Sequence, residues 1–429
     1  MGRNKPQKSG KSPSQGQQSA QQPQPLKEAD ALHQQASRRK GAQALGPYET
    51  ATAAYRHAVS TSQASGDSQQ HLESFFGLAD CLQGWAATMD AACQALPDAQ
   101  LTAAAESSCR TSMASLLAEA VLALHLVIAG GEGELKADAC VNLGNASCAW
   151  AEVLDPGPEA LRLLSQAKQA YQQAASLDPE DASIWSNLGD ALVSIGEQLC
   201  EAGQVEEGQG CYKEALQAYE HSCSLSDSQQ GDDLPGLLHN WGVGLHSFAS
   251  HTQDAAQALS LWSQATMRLQ SAASLDVGDV SPLNAMGDVH CGRAERLLAT
   301  QPSEAARAFQ LALTDGYRRA LRVHGQDVNA LLGIGEVYLQ LGRLAASGAD
   351  VASAQASFAT AISGYEKALE IPQKIGKLQD RCDARYNAAC ALALGGRPVD
   401  AKQLLQQLLA AGLINAVDLK ADADLQGLS

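Results

Sequence analysis

Residues 167–190 read AKQAYQQAASLDPEDASIWSNLGD. Ala167, Tyr171, Ala174 and Leu177 are spaced four, three and three, which places them on one face of a helix. Asp178-Pro179 ends that helix, because proline lacks an N–H and its ring clashes with the preceding turn. A second helical run opens at Trp185-x-x-Leu188-Gly189. The stretch therefore reads helix, turn, helix.

The same phrases recur on both sides. Tyr171, Tyr219, Leu269, Tyr317 and Tyr365 form a ladder with steps of 48, 50, 48 and 48 residues. Around them stand Ala215-x-x-x-Tyr219-x-x-Ser222-x-x-Leu225 and Ala361-x-x-x-Tyr365-x-x-Ala368-x-x-Ile371. A second ladder lies upstream of each phrase: Leu143-Gly144-Asn145, Leu188-Gly189-Asp190, Trp241-Gly242-Val243, Met286-Gly287-Asp288 and Ile334-Gly335-Glu336. Leu78-Ala79-Asp80 and Ala388-Ala389-Cys390 fit at the two ends. Glycine inside a helix is about 1 kcal/mol less favourable than alanine. Its return at one phase therefore predicts a close approach by a neighbouring helix. Breaks at Asp155-Pro156-Gly157-Pro158, Ala202-Gly203 and Gln301-Pro302 separate the two ladders, and Asp227 to Asp233 and Pro372 separate successive units.

These residues resemble the tetratricopeptide repeat family, in which an apolar–small pair marks the first helix and Ala, an aromatic, Ala and often Pro mark the second. Trp185-x-x-Leu188-Gly189 and Ala167/Tyr171/Ala174/Pro179 match it best, and the likeness covers about 135–411. The family spaces its small residues about twelve apart in a unit of about 34. Here Gly144 to Ala167 is 23 and Gly189 to Ala215 is 26, while only Ala389 to Ala401 keeps 12. The excess corresponds to three or four helical turns, so both helices of each hairpin are predicted to be long. The reading is an all-α, right-handed α-solenoid of about seven to eight antiparallel hairpins with a C-terminal capping helix. Its expected segments are a disordered tail over 1–25, irregular hairpins over 26–134, the repeat array over 135–411 and a cap over 412–429.

Composition narrows the function. The 429-residue chain is 45% apolar with 4% aromatics, which favours helices packed through small side chains over strands. The run Leu116 to Ala129 is its most apolar stretch and contains Glu119 and His125, so no membrane span is expected. Residues 1–25 are Gln-, Ser- and Pro-rich, a mixture that cannot offset its ordering entropy by burial. Residues 1–40 carry eight Lys/Arg and two Asp/Glu, so the overall −17 leaves −17 − 6 = −23 for the remainder. An acidic body disfavours nucleic acid as the ligand of the folded part. Eleven scattered cysteines without C-x-x-C indicate reduced thiols and a cytoplasmic setting, with the nucleus as the alternative.

No catalytic, cofactor or metal motif stands out. Gly333-x-Gly335 lacks the Lys-Ser/Thr of a phosphate loop. Cys140 with Cys148, and Cys382 with Cys390, are eight apart and close no tetrahedral zinc site alone. His239 and His246 share a helical face and read as groove-facing or surface histidines. Some members of the resembled family clamp the C-terminal tail of heat-shock chaperones with two Asn and basic residues. Asn145 and Asn187 match the two Asn, but Val141, Gly236 and Asn240 occupy the positions where that clamp has cations. That ligand is set aside.

The expected function is a non-catalytic scaffold, adaptor or dedicated chaperone, with an obligate subunit of a large assembly as the alternative. In the resembled family the residue after each first-helix small residue faces the concave side. Asp80, Asn145, Asp190, Asp288 and Glu336 hold that position, which predicts an acidic groove for a Lys/Arg-rich protein segment. Asn187, His239 and His246 are expected to border it.

Overall fold

The computed structural model describes residues 24–97, 100, 102–229, 234–371, 374, 375, 377–415, 419 and 422–428. The expected disordered tail over 1–25 lies almost wholly outside them. Described residues form helices and turns and no strand. By packing, the chain divides into two units: Met1–Cys93 with Ser107–Asn240, and Gln94–Glu106 with Trp241–Ser429.

The first unit contains α1 (Gln24–Ser37), α2 (Leu45–Ser65), α3 (Ser68–Gln94), α4 (Ala103–Gly130), α5 (Gly133–Val153), α6 (Pro158–Leu177), α7 (Ala182–Glu201) and α8 (Val205–Gln229), apart from the ends of α3 and α4. Helix α9 (Leu234–Ser250) contains the division. The second unit continues with α10 (Ala255–Leu275), α11 (Ser281–Leu297) and α12 (Pro302–Leu311). A π-helical turn, Ala312–Tyr317, joins α12 to α13 (Arg318–Val323), and α14 (Val328–Ser347), α15 (Val351–Leu369), α16 (Leu378–Leu394) and α17 (Pro398–Ala410) follow.

Consecutive helices pair tightly, as in α5 with α6, α7 with α8, and α14 with α15, and pairs rest on one another through α6 with α7, α10 with α11 and α15 with α16. First helices of successive pairs also touch: α5 with α7, α11 with α14, and α14 with α16. Here the first helix of a pair is the A helix and the second is the B helix. The extra turns implied by the spacing appear as helices of 20 to 25 residues from α5 to α8. The last pair is shorter, with 17 and 13 residues.

Sequence punctuation sets the boundaries. Asp181, Asp254, Asp327 and Asp350 cap α7, α10, α14 and α15 by accepting from backbone N–H groups of the first turn. Pro158, Pro302 and Pro398 stand in the first turn of their helices, where no intrahelical N–H is needed. The terminal cap is a short 3-10 helix, Ala423–Leu428, packed on α16.

One long-range contact had no counterpart in the repeat pattern. Within the second unit Arg381 of α16 is fully buried. It donates through Nη1 to the Leu96 carbonyl at 2.8 Å and through Nη2 to that of Gln94. Helix α4, which carries the apolar run Leu116 to Ala129, is by length and composition long and apolar enough to cross a membrane. Its Leu117, Leu124 and Val127 are nevertheless buried in the protein core, and Glu119 pairs with Arg56 at 2.6 Å.

Candidate functional site

The two ladders meet inside each hairpin. The ring of Tyr171 lies over Gly144, Tyr219 over Gly189, Tyr317 over Gly287 and Tyr365 over Gly335. A Cβ added at Gly189 would lie 2.6 Å from Tyr219 Cε1, and at Gly335 it would lie 3.0 Å from the Tyr365 ring. The glycines therefore admit an aromatic ring, and at Gly287 the neighbouring backbone of Gly316 as well. Leu269 fills the same role against Gly242.

Seated this way, each tyrosine carries its hydroxyl to the residue just after the small one. Tyr171 donates to Asn145 Oδ1 at 2.7 Å, Tyr219 to Asp190 Oδ1 at 2.6 Å, Tyr317 to Asp288 Oδ1 at 2.7 Å and Tyr365 to Glu336 Oε2 at 3.0 Å. Tyr55 of α2 donates in the same way to Asp30 of α1 at 2.7 Å, which adds an N-terminal pair built like the others. Burial drives the Tyr171, Tyr317 and Tyr365 hydroxyls well above their ordinary pKa, so they stay neutral donors.

The correspondence extends to the units without tyrosine. Where the B-helix position is Leu269 or Leu405, the residue after the small one is Val243 or Cys390, and no carboxylate is present. Asp80 is the exception. It is exposed and faces His33 Nδ1 at 3.8 Å.

Two carboxylates receive a further bond from the next A helix. Asn240 Nδ2 donates to Asp190 Oδ2 at 2.9 Å, and Asn387 Nδ2 donates to Glu336 Oε2 at 3.1 Å. Both asparagines stand two residues before the small residue of their own helix. Asn187 holds the same place opposite Asn145, whose Oδ1 takes the Tyr171 hydroxyl. Asn187 is buried, and its Nδ2 has no hydrogen-bond partner among the described residues.

The sequence-predicted residues thus fall into groups. Asn145, Asn187 and Asp190 lie together in the first unit, with Asp190 and Asn145 half-buried. Asp288 and Glu336 belong to the second, Asp288 exposed and Glu336 half-buried.

His239 and His246, read from sequence as groove-facing or surface histidines, are both largely enclosed. His239 is 4% exposed. His246 is half-buried, and its Nδ1 accepts the Trp262 Nε1–H at 3.1 Å. Burial, and then His251, lowers the His246 pKa from 6.5 to about 4. His290 is buried as well, with neither ring nitrogen hydrogen-bonded among the described residues, and burial lowers its pKa too.

The unfolded chain binds protons at His246 below 6.5, while the folded chain does so only near 4. Stability should therefore fall as pH drops from 6.5 towards 4, by about 2 kcal/mol for this partly exposed ring. Asp138, raised to about 6 chiefly by burial, acts with the opposite sign between its own limits. The readout is accordingly the difference between wild type and His246→Gln in urea melts at pH 7 and pH 5. The variant should lose less stability on acidification, and parallel losses would contradict the assignment.

Cys390, Asp422 and Asp424 bring three possible metal donors within 4.8 Å of one another. Arg343 is already bound to Asp424, and its charge opposes a cation there. All eleven cysteines are free thiols.

No protein-family model and no curated protein matches the chain. Among solved structures it is similar to the nuclear import adaptor Nro1 of S. pombe, a hypoxic regulator of sterol synthesis, at 13% identity and TM-score 0.43, covering 75% of this chain and 94% of that one. The C-terminal part of a TPR repeat-containing protein from Cytophaga hutchinsonii gives 11% and 0.42, covering 80% and 98%. BtubC from P. vanneervenii gives 17% and 0.36, covering 58% and 89%. All three TM-scores lie below 0.5 and carry no weight for function.

Proposed function

We propose that this chain is a long-helix variant of the tetratricopeptide repeat family and acts as a non-catalytic scaffold or adaptor that holds a segment of a partner protein. The observation that carries the reading is the row of oxygen-bearing side chains at one phase of the A helices. In the first unit the row is Asp80, Asn145 and Asp190, and in the second it is Asp288 and Glu336. Tyrosine and asparagine donors are neutral, so they fix Asp190, Asp288 and Glu336 without cancelling their charge. The row thereby supports a Lys/Arg-rich segment as ligand, since a field of one sign speeds capture of the opposite sign. Free thiols throughout accord with the cytosol or nucleus as its setting.

The Tyr171–Asn145 bond shows that an amide oxygen serves the tyrosine as acceptor. Asp190→Asn, Asp288→Asn and Glu336→Gln combined should therefore remove three charges while keeping the hairpins. Partners captured by wild type should bind the triple variant roughly tenfold more weakly, with a flatter salt dependence. Unchanged affinity and salt slope would overturn the basic-segment reading. The obligate-subunit reading draws on Leu122 and Leu126 of α4, which are 67% and 51% exposed. Gel filtration separates the two, because an adaptor runs alone as a stable species and an orphaned subunit aggregates.

A further inference from the structure

The C-terminal residues Asp422–Leu425 make contacts unlike those of a simple end cap. Caps of helical arrays turn apolar side chains inward and polar ones to solvent. Here both carboxylates turn inward. Asp424 Oδ2 accepts from Arg343 Nε at 2.9 Å and from Arg343 Nη2. Asp422 Oδ2 accepts the Tyr386 hydroxyl at 2.6 Å and the Cys390 thiol at 4.0 Å, while its Oδ1 takes the Asp424 backbone N–H at 2.9 Å. Leu425 is 4% exposed and joins the apolar cluster of Ala388, Ala389 and Leu405.

The surface receiving this segment is the A-helix face itself. Cys390 stands at the same phase as Asp288 and Glu336. Tyr386 is next to Asn387, which donates to Glu336. Arg343 lies two turns along α14 from Glu336. The segment thus covers part of the face that the second unit offers a ligand.

We propose that Asp422–Leu425 is an internal ligand, filling in the free chain a docking site on α14 and α16 that takes a partner segment of the form acid-x-acid-leucine. This inference rests on the scaffold reading and adds a second kind of partner segment, acidic and seated on Arg343 and Tyr386, beside the Lys/Arg-rich one proposed for the row of Asp288 and Glu336. Arg343 supplies a two-nitrogen fork for the second acid, Tyr386 a hydroxyl for the first, and the cluster beneath Leu425 an apolar seat. Two features make the occupant exchangeable. The Arg343–Asp424 pair is open to water, with side chains 35% and 15% exposed, so solvent screens it. The segment holds only a short 3-10 helix, which places it at the low-stability end of the fold. Against this, the short tether from Asn415 to Asp422 holds the segment at an effective concentration of about millimolar. A partner therefore docks only by displacing it, and the chain is attenuated until a competing segment arrives.

The test uses the full chain and a fluorescein-labelled peptide of residues 418–429, read by anisotropy. Asp424→Ala with Leu425→Ala should release the internal segment, and the peptide should then bind at least about tenfold tighter than to wild type. Adding Arg343→Gln should remove that binding. A folded double variant that ignores the peptide, or binds it no better than wild type, would overturn the proposal. Hydrogen exchange on wild type provides a second reading that needs no variant. Amides of 423–428 should exchange faster than those of α16, and protection equal to that of α16 would mark a permanent cap. No unknown partner enters either experiment, so its failure leaves the partner-capture result standing.

Discussion

Gly316→Val is expected to lower the stability of the second unit by about 3 kcal/mol or more. A Cβ at Gly316 would lie 2.6 Å from both Cα and N of Gly287 and 3.0 Å from the Leu283 carbonyl oxygen. Those atoms are backbone of α11, so no rotamer change relieves the clash. Tyr317 follows immediately, with its ring between Gly287 and Gly333. Shifting α12 and α13 to accommodate a side chain would therefore also unseat that ring. Helix propensity alone predicts the opposite sign, because alanine is about 1 kcal/mol better than glycine within a helix. Gly210 of α8 isolates that term, as nothing lies within 4 Å of a Cβ built there. Gly210→Ala should be stabilising by up to about 1 kcal/mol. Urea melts of both variants against wild type read the two signs, and a Gly316→Val protein as stable as wild type would contradict the close contact.

The hairpins were legible in the sequence because their signals are local. Apolar spacing, aspartate caps and prolines mark the helices one at a time, and a period near 48 ties them together. The function of the second ladder was half-legible. Gly189 and Gly287 implied a close neighbour, but spacing alone did not identify it as the tyrosine of the same hairpin. The signal was present in the pairing of Leu269 with Val243 and of Leu405 with Cys390, where hydroxyl and carboxylate are lost together. The same pairing would have found Asp30 with Tyr55, which lay in a stretch read as irregular. The partner of His246 was not legible because Trp262 lies sixteen residues away on α10, beyond any helical spacing. The Arg381 contacts with Gln94 and Leu96 join positions about 285 residues apart, and no pattern along the chain announces them. The π-helical turn at Ala312–Tyr317 likewise has no sequence mark, since its residues fit an ordinary helix.

The account holds that tyrosine and acid form a lock within the hairpin, joined by asparagine at Asp190 and Glu336, and that the lock explains why the acids recur in phase. Asp190 with Tyr219 offers the cleanest case. Asp190→Val leaves the buried Tyr219 hydroxyl without its carboxylate and removes the acceptor of Asn240, so it should be destabilising by about 2–3 kcal/mol. Tyr219→Leu shrinks a fully buried ring and should cost a similar amount through the space it leaves. Together they recreate the Val243–Leu269 arrangement that the chain already uses. The double-mutant cycle on urea stability measures the coupling directly. The lock predicts that the double variant is at least about 1 kcal/mol more stable than the sum of the two single losses implies. Losses that simply add would contradict it.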